Sequence, residues 1–183
     1  VYNNVAHDNT IGIFIDLLPQ LPSKVSMYTK VHDNLVENNN GANFGKSGTA
    51  VSLIPPGTGM LILAADHVEV YNNTIRGNKT GGMAVFNLTI GFSEEELDVG
   101  PNPEHNYIHD NIYENNGYDA DKFVKDMLGQ GFDIIWDGTG ADNRFDEPNA
   151  SSSFPPVLPS KNLPAPLYNL YWRALNFVVG LVG

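Results

Sequence analysis

One nine-residue pattern occurs four times in the chain: VYNNVAHDN at 1–9, VHDNLVENN at 31–39, VYNNTIRGN at 70–78 and IHDNIYENN at 108–116. Its consensus is an aliphatic residue, Tyr or His, Asn or Asp, Asn, any residue, a mostly apolar residue, two variable residues and Asn. Two columns never vary, one holding Asn4, Asn34, Asn73 and Asn111, the other Asn9, Asn39, Asn78 and Asn116. A second element, Gly followed by apolar–x–aliphatic, recurs at Gly12, Gly59, Gly82 and Gly131. Gly59 and Gly82 lie 23 residues apart with one nonapeptide between them, so the undisturbed unit is strand, corner, strand with Asn, corner. A period of that size built from short strands predicts a solenoid, because one coil cannot bury its inner face alone. Stacked coils bring equivalent residues about 4.8 Å apart. Asn amides at that spacing bond to one another above and below, and Asn tolerates the left-handed backbone of a tight corner. The two Asn columns are therefore read as structural ladders. A leucine-rich repeat has a similar period, but neither its regular Leu spacing nor its helical side is present.

The coils depart from 23 residues at two corners, before and after the Gly strand, and both kinds of insertion should wall the same sheet. Alternation along that sheet points Phe14, Leu61, Leu63, Ala84, Phe86 and Ile135 outward, with Asp16, Asp133 and Asp137 at its rim. An apolar outer face requires cover from the inserted loops, the tail or a partner. Ser93 to Glu96 has capping-box spacing, and residues 119–128 predict a short helix with Phe123, Val124, Met127 and Leu128 on one face.

Residues 57–87 and 131–148 resemble an exported bacterial family of right-handed parallel β-helix repeats, the pectate-lyase-like fold, often encoded beside a diheme c-type cytochrome. The resemblance covers residues 1–148. It implies an all-β right-handed parallel β-helix of about five coils and an extracytoplasmic setting: periplasmic, outer-membrane-associated or secreted. It also raises a polysaccharide ligand and a c-type cytochrome partner, and it names no chemistry. Residues 149–183 leave the repeat. Five prolines in 149–166 predict an extended segment, and Leu167, Leu170, Tyr171, Ala174, Leu175, Val178 and Val179 predict a covering amphipathic helix. Val1 already occupies the first position of a nonapeptide. The chain is accordingly read as the C-terminal part of a longer exported protein.

Composition excludes several functions. With 21 acidic and 10 Lys plus Arg residues the formal charge is −11, unsuited to nucleic acid or anionic lipid. No cysteine is present, which removes disulfides, thiolate metal sites and thiol catalysis. No apolar run reaches the length of a membrane span. Phosphate-loop, HExxH and Gly-x-Ser-x-Gly motifs are missing.

Three His-Asp-Asn triplets (at 7–9, 32–34 and 109–111) invite a general-base reading. Strand alternation places each His and Asp on opposite faces, and His32 and His109 share a column with Tyr2 and Tyr71, so an aromatic stack is expected instead. His67 and His105 show no patterned partner. The acid-rich stretch offers Asp137, Asp142 and Asp146 as oxygen ligands for Ca²⁺, against a reading as solvated turns; no cofactor is required. An enzymatic alternative, a polysaccharide lyase, epimerase or hydrolase, would draw on Asp133, Asp137 and Arg144. The preferred reading is a non-catalytic exported scaffold or binding protein whose ligand is a carbohydrate or a periplasmic or extracellular protein.

Overall fold

The structure, a computed structural model, describes residues 1–19, 21–47, 49–164 and 166–171. In chain order the strands are β1 (Val5–His7), β2 (Ile11–Asp16), β3 (Lys30–His32), β4 (Leu35–Glu37), β5 (Thr58–Leu63), β6 (Glu69–Tyr71) and β7 (Thr74–Arg76). They continue as β8 (Gly81–Phe86), β9 (Tyr107–His109), β10 (Ile112–Glu114), β11 (Phe132–Trp136), β12 (Arg144–Asp146) and β13 (Ser153–Phe154), with one helix, α1 (Lys122–Leu128). Among the described residues they form three sheets, ordered β1-β4-β7-β10, β2-β5-β8-β11-β13 and β3-β6-β9-β12. Every strand pairing is parallel and joins a strand to its counterpart one coil on. This is a parallel β-helix of four three-strand coils, with a fifth begun by β13.

Each coil turns through single left-handed residues set immediately before an inward-pointing column. Asn3, Asp33, Asn72 and Asp110 precede the first Asn column, and Asp8, Asn38, Gly77 and Asn115 precede the second, all with φ between 51° and 63°. Asn, Asp and Gly accept that conformation at low cost. A third such column holds Tyr28, His67, His105 and Asp142.

Both ladders form as the repeat predicts. Asn4, Asn34 and Asn73 each donate Nδ2–H to the Oδ1 of the next Asn, at 2.9, 2.8 and 2.9 Å. Asn9, Asn39 and Asn78 do the same at 3.1, 3.2 and 3.1 Å. The Gly column is glycine because the ladder and the next coil come too close for a side chain. A Cβ on Gly59 would stand 2.5 Å from the Gly82 carbonyl oxygen and 2.9 Å from Asn78 Nδ2.

The inner core stacks Val31, Val70, Ile108 and Phe145 on one sheet, Val36, Ile75 and Tyr113 on another, and Met60, Ile62, Met83, Val85, Ile134 and Trp136 on the third. Val157, Leu158, Leu163 and the buried Tyr168 pack against it from the tail. Residues 166–171 are helical as expected, but the stripe differs. Leu167 and Leu170 are exposed while Tyr168 is buried, 5.5 Å from Trp136. The aromatic surface of Trp136 and Phe145 selects the ring over the leucines. The rest of the predicted helix, including Ala174, Leu175, Val178 and Val179, lies outside the described residues. Among the described residues no helix is long and apolar enough to cross a membrane.

Candidate functional site

The outer face of the sheet containing β5, β8 and β11 is built as alternation predicts. Leu61, Leu63, Ala84, Phe86 and Ile135 form a second apolar cluster, separate from the inner core, and Leu17, Leu88, Ala120 and Val124 cover part of it. Those four residues come from insertions, so the chain supplies much of its own cover. Asp121 caps α1 by accepting from the Phe123 amide at 2.9 Å, Gly129 ends it in a left-handed turn, and Val124 is its buried residue. Phe123 and Met127, expected on the same face, are exposed, whereas Leu128 packs half-buried against the cluster beside Val124.

The cover is incomplete. Between the insertions lies a cavity of about 510 Å³. Its floor is Leu61, Leu63, Ala84, Phe86 and Ile135. Leu53 to Pro56, Leu88, Ile90 to Phe92 and Phe123 line its walls. Among the described residues no Lys, Arg or His lines it, and Asp121 is the single ionisable group.

The polar side chains of the wall are spent on local structure. Asn43 donates both Nδ2 hydrogens, to the Val51 and Ile54 carbonyls, each at 2.8 Å. The hydroxyls of Ser52, Thr58 and Thr80 donate to the carbonyls of Thr49, Pro55 and Pro56.

The residues singled out for chemistry are placed elsewhere. Asp133 does not point outward. The register pairs Phe132 with Gly81 and Ile134 with Met83, so Asp133, and not Gly131 as expected, takes the place of Gly12, Gly59 and Gly82. The ladder skips that position in every coil, and the irregularity Asp133 shares with those glycines turns it into the inner corner. There its buried carboxylate accepts from Asn116 Nδ2 at 3.3 Å and from the Ser151 amide and hydroxyl at 2.8 and 2.7 Å. Asp137 accepts from the Asn87 amide at 2.6 Å and from Thr139. Arg144 lies on a different sheet, its guanidinium 4.1 Å above the Tyr107 ring, beside Asp146 at 3.6 Å. The three residues proposed for lyase chemistry thus serve three separate local contacts.

The Ca²⁺ trio also separates. Asp137 caps backbone as above, Asp142 sits 3.6 Å from His105, and Asp146 accepts from the Tyr107 hydroxyl and the Lys161 amide at 3.0 and 2.9 Å. Among the described residues no three His, Asp or Glu side chains are grouped as a metal ion requires.

The third sheet carries the expected aromatic stack, Tyr2–His32–Tyr71–His109, with ring centroids 5.2, 4.8 and 5.3 Å apart. A second stack was not foreseen: Tyr28–His67–His105, with both spacings 4.8 Å. Its members occupy the third left-handed column, so His67 and His105 are patterned after all. Strand alternation predicts each adjacent His and Asp on opposite faces, but the structure brings them together. His7, His32 and His109 hold the neighbouring Asp carboxylate at 2.7, 2.8 and 2.7 Å through Nδ1. The left-handed φ of Asp8, Asp33 and Asp110 breaks the alternation and swings each carboxylate back. In these stacks successive rings cover one another, with Tyr2 and Tyr28 exposed at the N-terminal ends.

Sequence reasoning missed a shorter third ladder and the ends of the first two. Asn106 Oδ1 accepts from the Val68 amide at 2.7 Å, and Asn143 Oδ1 from the Asn106 amide at 3.1 Å. Alignment of Val68, Asn106 and Asn143 ahead of β6, β9 and β12 was the available signal. The first ladder ends on Glu147, which accepts from the Asn111 amide and Nδ2 and from the Tyr113 hydroxyl at 3.1 Å. Burial pushes the Glu147 carboxyl up to about 7, against the pull of these donors. Burial, with the Glu147 charge beside it, also holds the Tyr113 hydroxyl well above its usual range.

No family model, curated protein or solved structure matches the chain.

Proposed function

We propose that the chain is a non-catalytic β-helix binding scaffold working outside the cytoplasm, and that its ligand occupies the cavity over β5, β8 and β11. The cavity carries this reading. Its volume of about 510 Å³ is that of a small-molecule site, and an apolar floor with few polar groups is the usual composition of one. The floor side chains Leu61, Leu63, Ala84, Phe86 and Ile135 offer no hydrogen bonds, so they support a ligand with an apolar body over a polysaccharide. The extracytoplasmic setting rests on the resemblance of residues 57–87 and 131–148 to exported repeats. The separate engagements of Asp133, Asp137 and Arg144 favour the scaffold over the lyase alternative.

Ala84 lies at the centre of the floor and is buried. Ala84→Trp should fill the cavity and weaken binding of the neutral apolar dye Nile red at least tenfold, roughly the effect of 1.4 kcal/mol. Fluorescence titration reads the change, and unchanged dye affinity in a folded variant would overturn the assignment of the site. Incubation with pectate or alginate should give no rise in absorbance from unsaturated uronates. A rise abolished by Arg144→Ala or Asp133→Ala would establish the lyase instead.

A further inference from the structure

The unspent chemistry of the cavity wall is one-sided. The side-chain donors of Asn43, Ser52 and Thr58 are consumed by backbone carbonyls of their own loop, and that of Thr80 by the Pro56 carbonyl one coil earlier. Among the described residues Lys, Arg and His are absent from the lining. The remaining ionisable group is Asp121, whose Oδ1 accepts from the Phe123 amide. Thr80 Oγ accepts from the Asp121 amide at 2.9 Å, which fixes that residue at the end of the floor. A carboxylate, sulfonate or phosphate entering the cavity would find no side-chain donor and would face a carboxylate. A buried anion without donors is strongly disfavoured. A positively charged or hydrogen-bond-donating end would find the acceptor it needs, and a formal charge of −11 draws cations toward the whole surface.

We propose that the cavity selects cationic amphiphiles: an apolar body lying on Leu61, Leu63, Ala84, Phe86 and Ile135, with an ammonium end at the carboxylate of Asp121. This rests on the reading of the cavity as the ligand site and adds the chemical class of the ligand. The nearest lysine in sequence, Lys122, is paired with Asp126 across one turn of the helix. It does not neutralise Asp121 through an ion pair of its own.

The test is displacement of Nile red from the intact chain by dodecylamine, dodecanol and dodecanoate, each below its aggregation concentration and at one ionic strength. Dodecylamine should displace the dye at a concentration at least tenfold below dodecanoate, the order of a charge-assisted hydrogen bond, with dodecanol between them. Asp121→Asn keeps a side-chain oxygen for the cap, since Asn serves there as well as Asp, and melting confirms that it folds. In that variant the advantage of amine over alcohol should fall to less than about threefold. Equal displacement by amine and carboxylate in the unaltered chain would overturn the charge selectivity. An amine advantage that survives Asp121→Asn undiminished would overturn the assignment to Asp121 by tracing it to the general surface charge. Failure of the unaltered chain to bind Nile red at all is a different result, and it overturns the cavity as a ligand site.

Discussion

Asn73→Leu should lower the melting temperature by roughly 10 °C, the effect of about 4 kcal/mol in a domain of this size. Asn72→Leu, one residue away, should lower it by a few degrees. Asn73 is fully buried. Its Oδ1 accepts from the Asn34 amide and Nδ2 at 3.0 and 2.8 Å, and its Nδ2 serves the Val31 and Tyr71 carbonyls as well as Asn111. Leucine leaves several of these groups buried without partners, each costing about 1–3 kcal/mol before relaxation. Asn72 is exposed with φ of 53°, so its replacement costs chiefly the strain of a left-handed leucine, about 1–2 kcal/mol. Equal melts for the two variants would show that the column is not what holds the coils.

The second large effect is on pH. The Glu147 carboxyl titrates at about 7 in the folded chain against an ordinary value of 4.5. The folded state therefore binds this proton more tightly than the unfolded state does. The resulting stabilisation is fully present below pH 4.5, declines as the pH rises, and is gone above about 7. Its size is about 3 kcal/mol, from 1.36 kcal/mol per pKa unit. Denaturant midpoints should fall across that window in the unaltered chain. Glu147→Gln, which cannot ionise, should flatten the fall even if it shifts the whole curve. A slope in the variant equal to that of the parent would locate the titration elsewhere.

Much of the architecture was legible because it repeats. Asn34, Asn73 and Asn111 share a column that can be read by eye, and a stacked amide is the same interaction in every coil. Legibility failed where the pattern is broken by residue type or by insertion. Asp133 and Glu147 extend no visible column, since they end the ladders with carboxylates. Asn106 and Asn143 follow insertions of unequal length, which hid their alignment with Val68. The His–Asp contacts depend on a backbone angle, φ near 55° at Asp33 and Asp110, that a two-residue period does not encode. The apolar floor could be anticipated from Leu61, Leu63, Ala84 and Phe86. The space above it could not, because it depends on how Leu53 to Pro56, Leu88 to Phe92 and α1 lean over the sheet.

The direction of the amide rows has a wider consequence. Along both long columns each Asn sends its side chain-to-side chain donation toward the C-terminal end, while Nδ2 also serves a carbonyl of the coil before. Each row stops at a carboxyl group: Asp133 for one and Glu147 for the other. The rows are thus polar cables with a fixed terminator, in the sense that a helix has a dipole with a preferred counter-charge at its end. The terminator does not depend on how many rungs precede it. A copy of residues 59–81 spliced between existing coils would keep every donor facing an acceptor and leave both carboxylates in place. Length is therefore a free variable of this architecture, whereas orientation is not: a coil entering from the C-terminal side would meet an acceptor already filled.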